Sequence, residues 1–75
     1  MTVQQLREVH KAAPFRPFTV HMADGRSFHV PHPDFLWVPP AGRTVWVYGE
    51  GEAAHILDVM LMTGIETSSA PAQQS

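Results

Sequence analysis

The sequence predicts a mainly β domain, with a short N-terminal helix followed by a small, strongly bent five-stranded antiparallel sheet or a partly open barrel. Three observations lead there. Apolar residues recur at helical spacing only ahead of Pro14, strict alternation starts at Phe18 and turns at Asp24-Gly25, and turn-forming residues then punctuate the chain at short intervals. A plain sheet with the helix across one face is the other arrangement these elements allow. No internal repeat suggests an array of units.

The helix is the first element. Thr2 and Gln5 stand in capping-box spacing, and Val3, Leu6, Val9 and Ala13 approximate one helical face before Pro14 ends the pattern, which predicts a helix over residues 3–12. A helix of about three turns is marginal alone in water, so it must pack on the strands C-terminal to it. His10 and Lys11 fall near its C-terminus, where positive charge suits the helix dipole. Pro14-Phe15-Arg16-Pro17-Phe18 then reads as a stiff, extended connection whose aromatic rings cover the end of a small sheet or barrel.

Alternation is cleanest from Phe18 onward, with Phe18, Val20 and Met22 on one face and Thr19 and His21 on the other. The register of the hairpin follows from its side chains. A two-residue loop at Asp24-Gly25 pairs Val20 with His29 and His21 with Phe28, mixing apolar and polar groups on both faces. A three-residue loop with a left-handed Gly25 instead pairs Val20 with Phe28 and Phe18 with Val30, and sends Thr19, His21, Ser27 and His29 outward. The second register is the expected one.

Pro31-His32-Pro33 interrupts regular pairing. Residues 35–38 form the third expected strand, ended by Pro39-Pro40-Ala41-Gly42, and Thr44-Val45-Trp46-Val47-Tyr48 forms the fourth. Gly49-Glu50-Gly51-Glu52 turns the chain into a fifth strand over residues 53–57, residues 58–60 make a tight turn, and residues 61–67 close the sheet. Residues 1–67 are therefore expected to form one domain, with residues 68–75 as a disordered tail.

Composition narrows the functional classes. A chain of 75 residues with 44% apolar content has a thin core, which makes a partner subunit attractive. The absence of cysteine removes disulfides, thiolate nucleophiles and cysteine zinc sites, and no apolar run approaches the roughly 20 residues that span a bilayer. A formal charge of −2 is the opposite of the basic surplus usual in a non-specific nucleic-acid binder. No leader pattern opens the chain, so the cytoplasm is the expected compartment.

The five histidines are the natural candidates for metal or proton chemistry. His21 and His29 are expected diagonally on the outer face of the hairpin, with His32 and Asp34 just beyond it, but no His-Glu-x-x-His or three-histidine spacing completes a metal site. Ser27, His29 and Asp34 form a hydrolytic triad on paper only, because no nucleophile elbow or oxyanion hole accompanies them. Asp24 is explained by its turn, and Glu50 and Glu52 by solvation beside Gly49 and Gly51, which lack the pattern of a phosphate loop. No catalytic residue, metal or cofactor is assigned, and the chain is not expected to be an enzyme.

Arg16, Arg26 and Arg43, with Phe35, Trp37, Trp46 and Tyr48, have the chemistry for phosphate contact and base stacking, although the same aromatics suit a strand core. Association with protein has the stronger motive. Unclosed strand edges expose pairing groups, and Trp37, Trp46, Met60 and Met62 can extend a thin core across a subunit boundary. Periodicity does not separate core from interface among these four.

The run Pro14-Phe15-Arg16-Pro17-Phe18-Thr19-Val20-His21, continued by Asp24-Gly25-Arg26 and His32-Pro33-Asp34-Phe35, resembles a group of short bacterial proteins with no established function, over roughly residues 2–66. More loosely, the order of a short helix and a bent sheet with an early glycine turn is similar to the Sm-like fold of bacterial RNA chaperones. That likeness implies that residues 54–65 are the last two strands and that their edges pair subunits into a ring. The chaperones' basic RNA surface and late lysine-histidine pair have no counterpart here, so no binding residue carries over. The expected function is a small, non-enzymatic interaction or scaffold domain that self-associates or binds another protein. An Sm-like nucleic-acid module and a histidine-based metal protein are the alternatives.

Overall fold

The computed structural model describes residues 2–49, 51 and 53–67. The expected tail and the two glutamates of the late turn, Glu50 and Glu52, lie outside the described residues. Helix α1 spans Val3–His10 and opens on the expected capping box: the Thr2 hydroxyl accepts from the Gln5 amide at 3.2 Å, and the Gln5 side chain accepts from the Thr2 amide at 3.1 Å. The helix stops two residues short of the expected end, at a Lys11 cap whose amide bonds to the Arg7 carbonyl.

The hairpin forms in the three-residue register. Strand β1 (Phe18–Met22) pairs with β2 (Ser27–Val30), setting Phe18 opposite Val30 and Val20 opposite Phe28. Gly25 sits at φ +94°, a left-handed conformation that an L side chain resists. Asp24 accepts from the Arg26 amide at 3.0 Å and from its guanidinium at 2.7 Å, closing the turn.

The remaining strands are β3 (Leu36–Trp37), β4 (Thr44–Tyr48), β5 (Ala54–Asp58) and β6 (Met62–Thr67). Phe35 leaves the expected third strand because Pro33 begins a 3₁₀ turn over Pro33–Phe35. Leu61 leaves the last one for the turn Val59–Leu61, where the Asp58 carboxylate accepts from the Met60 amide at 2.9 Å.

The helix and the antiparallel, mainly β arrangement are as expected, but the small β-barrel is not. The described residues form six strands in two three-stranded sheets, ordered β2-β1-β6 and β3-β4-β5, and no ladder between the sheets closes them. The interruptions have local causes. Pro31 and Pro33 remove backbone donors between β2 and β3, and the 3₁₀ turn after Asp58 breaks extended geometry between β5 and β6. In place of the single bent five-stranded sheet of the Sm-like description, the described residues form two separate sheets.

The core lies between the inner faces. Leu6, Phe18, Val20, Val30, Val45 and Val47 are its fully buried members, each stabilising the fold by about 1.5–3 kcal/mol relative to an exposed side chain. Helix α1 contributes Leu6 and is tied beside the loop that follows β3. Val3 packs against Gly42, and the Arg7 guanidinium donates to the Pro39 and Pro40 carbonyls at 2.9 and 3.1 Å. His10 Nε2 donates to the Pro33 carbonyl at 2.8 Å. No helix among the described residues is long and apolar enough to cross a membrane.

Candidate functional site

The two sheets present opposite chemistry outward. On the β2-β1-β6 sheet, the pairing places Thr19 beside His29 and Glu66, and His21 beside Ser27 and Gly64. His21 Nε2 donates to Glu66 at 3.1 Å while its Nδ1 is hydrogen-bonded to the Ser27 hydroxyl at 2.9 Å, and His29 Nδ1 pairs with the Thr19 hydroxyl at 3.2 Å. This face carries linked polar side chains.

The β3-β4-β5 sheet is different. Val45 and Val47 point into the core, so their neighbour Trp46 points outward, and antiparallel pairing puts Trp37 and Ile56 on either side of it. The row Trp37-Trp46-Ile56 therefore crosses all three strands. The indole rings of Trp37 and Trp46 meet at 6.2 Å in a tilted arrangement. Trp37 is 51% and Ile56 58% exposed, and Tyr48, next along the face from Trp46, is also exposed. Polar groups bound the row: Thr44 pairs with Asp58 on one side, and Trp37 also lines a cleft with Arg7, His10 and Lys11 beside α1.

This geometry separates core from surface among the four expected association residues. Trp37 and Met60 are exposed, the latter by 81%, and Trp46 is half-buried on the outer face. Met62 is only 2% exposed and belongs to the core, because it pairs with the inward-facing Met22. Ile56 joins the face without having been expected there. Its signal lies in the pairing set by the Gly49 turn, which aligns it with Trp46 and leaves His55 and Leu57 on the inner face.

The other sequence candidates are dispersed. His21 and His29 share the outer face as expected, but His21 has both ring nitrogens engaged, and His32 stacks on Phe35 at 5.9 Å. Among the described residues no group of three His, Asp or Glu is placed to hold a metal ion. Of the arginines, Arg26 is paired with Asp24 and lies 5.4 Å over the Phe28 ring. Arg16 belongs to the connection before β1, and Arg43 precedes β4. Phe35 packs against the core. No family model, curated protein or solved structure matches the chain.

Proposed function

We propose that this protein is a small, non-enzymatic interaction domain of the cytoplasm that associates with a second copy of itself through the outer face of β3-β4-β5. The observation carrying this reading is the Trp37-Trp46-Ile56 row, whose Trp37 and Ile56 are more than half exposed on one sheet, while the other sheet's outer face carries hydrogen-bonded polar side chains.

Charge favours a second copy as the occupant. Asp58 flanks the row on the β5 side, at the level of Thr44. Beyond β3 the chain runs antiparallel to β4, so Pro39, which accepts from Arg7, lies near that same level, with Lys11 lining the adjoining cleft. A copy turned about an axis parallel to the strands sets its β5 over this β3, bringing its Asp58 toward the Arg7 and Lys11 end. Trp37, Tyr48 and Ile56, each about half exposed, offer roughly 100 Å² apiece by the usual size of such side chains. That is well under the roughly 800 Å² per partner of a standard interface, so the polar rim must contribute and the association is expected in the micromolar range.

Sedimentation of untagged protein over a concentration series tests this. A monomer–dimer equilibrium in a sample free of nucleic acid and metal supports it. A strict monomer, or association only with co-purified nucleic acid or metal, overturns it.

A further inference from the structure

A second surface feature lies on the inner side of the molecule. Where β2 approaches the Tyr48 end of β4, the two sheets part to leave a cleft of about 280 Å³, whose walls include Ser27, Phe28, Phe35, Tyr48, Gly49 and His55. The sequence explains most of this lining as core or strand residues, but not His55. Its position is on the inner face, in one row with Leu36 and Val47, where both neighbours are buried and apolar. An imidazole there brings a donor and an acceptor to a place where core packing calls for neither. The ring stacks on Phe28 at 4.8 Å, and Phe28 is in turn held by the Arg26 guanidinium.

We propose that this cleft binds a small, neutral aromatic molecule carrying one hydrogen-bonding group. The aromatic walls favour a flat ring, which tilted or offset contact with Phe28, Phe35 and Tyr48 accommodates. The imidazole of His55 supplies the polar contact. Among the described lining residues none is Asp, Glu, Lys or Arg, and the Arg26 guanidinium over Phe28 is already paired with Asp24, so little offsets the desolvation of a charged ligand. The volume is close to the lower limit of about 300 Å³ for small-molecule sites, which restricts the ligand to one or two rings.

The structure supplies a blocking variant. Gly49 has no left-handed φ, and a Cβ built on it meets His55 Nε2 at 3.8 Å, an ordinary contact. Gly49→Leu therefore extends a side chain into the cleft without backbone strain. The test is a titration with phenol, toluene, benzoate and benzylamine, following the backbone amide resonances of Phe28, Tyr48, Gly49 and His55. Phenol should give saturable shifts at millimolar concentration. Toluene should bind about three- to tenfold more weakly, for loss of one hydrogen bond, and the two charged compounds should not saturate over the same range. Gly49→Leu should abolish the phenol response. His55→Phe, which keeps the ring and removes the imidazole, should lower phenol affinity to that of toluene, and it decides the matter if the leucine variant does not fold. Absence of saturation by phenol, unchanged phenol affinity in a folded variant, or benzoate or benzylamine binding as tightly as phenol would overturn the proposal.

Discussion

Gly42→Ala is a demanding test of how α1 is held. Gly42 adopts φ +74°, and a Cβ placed on it comes 3.0 and 3.2 Å from the two methyl groups of Val3 and 3.4 Å from an Arg7 guanidinium nitrogen. Two penalties therefore combine: about 1–2 kcal/mol for a side chain in the left-handed region and about 1–3 kcal/mol for overpacking at a tight contact. Gly25→Ala is the internal control. Its φ is +94°, but nothing lies within 4 Å of its Cβ, so only the backbone penalty applies. In urea unfolding followed by circular dichroism, with a slope of about 1 kcal/mol/M for so small a domain, Gly25→Ala should lower the midpoint by about 1–2 M. Gly42→Ala should lower it further, by about 2 M or more. Adding Val3→Ala to Gly42→Ala should cost less than the two single effects summed, because the clash is already relieved. A Gly42→Ala midpoint equal to or above that of Gly25→Ala would refute the close packing of α1 on this loop.

Thr2→Ala removes the acceptor for the Gln5 amide and should destabilise the domain by about 1 kcal/mol, whereas Thr2→Ser should be nearly neutral, both read from the same urea midpoints. The Asp24 carboxyl is held below the ordinary aspartate range, first by the Arg26 backbone amide and then by the Arg26 side chain. Because the folded state lowers this pKa, the stabilisation is present above the unfolded aspartate value and lost as pH falls through the folded one. An NMR titration should place the Asp24 midpoint below that of an unfolded-chain reference. Arg26→Ala keeps the backbone donor and should raise the midpoint only part of the way; a full return to the reference would contradict the assigned cause.

Local elements were legible in the sequence because their rules are local. Thr2 and Gln5 lie three residues apart, and in the hairpin a one-residue slip would set Val20 opposite His29 and Phe28 opposite His21, mixing apolar and polar groups on both faces, so alternation alone selects the register. Barrel closure was not legible. It depends on whether Pro31-His32-Pro33 and the turn after Asp58 carry strand pairing around a corner, and Phe35 and Leu61 show that both segments tighten into 3₁₀ turns instead. The outward placement of His21 was legible, but its partner Glu66 is 45 residues away, on a strand whose position follows from the whole sheet order. The same holds for the association residues. Met62 and Met60 look alike in sequence, and only the pairing of Met62 with Met22 sends one into the core and leaves the other outside. Arg7 carries no distinguishing signal within the helix, yet it ties α1 to the Pro39-Pro40 loop.

Association through the β3-β4-β5 face is best tested by sedimentation velocity on wild-type protein beside Ile56→Lys and Ser27→Lys, over micromolar concentrations. Both substitutions fall on exposed strand positions, Ile56 in the apolar row and Ser27 on the polar sheet. Wild type and Ser27→Lys should dimerise alike, while Ile56→Lys should weaken the dimer at least about tenfold, or 1.4 kcal/mol. Wild-type protein that stays monomeric, or an Ile56→Lys dimer as tight as wild type, would contradict association through this face.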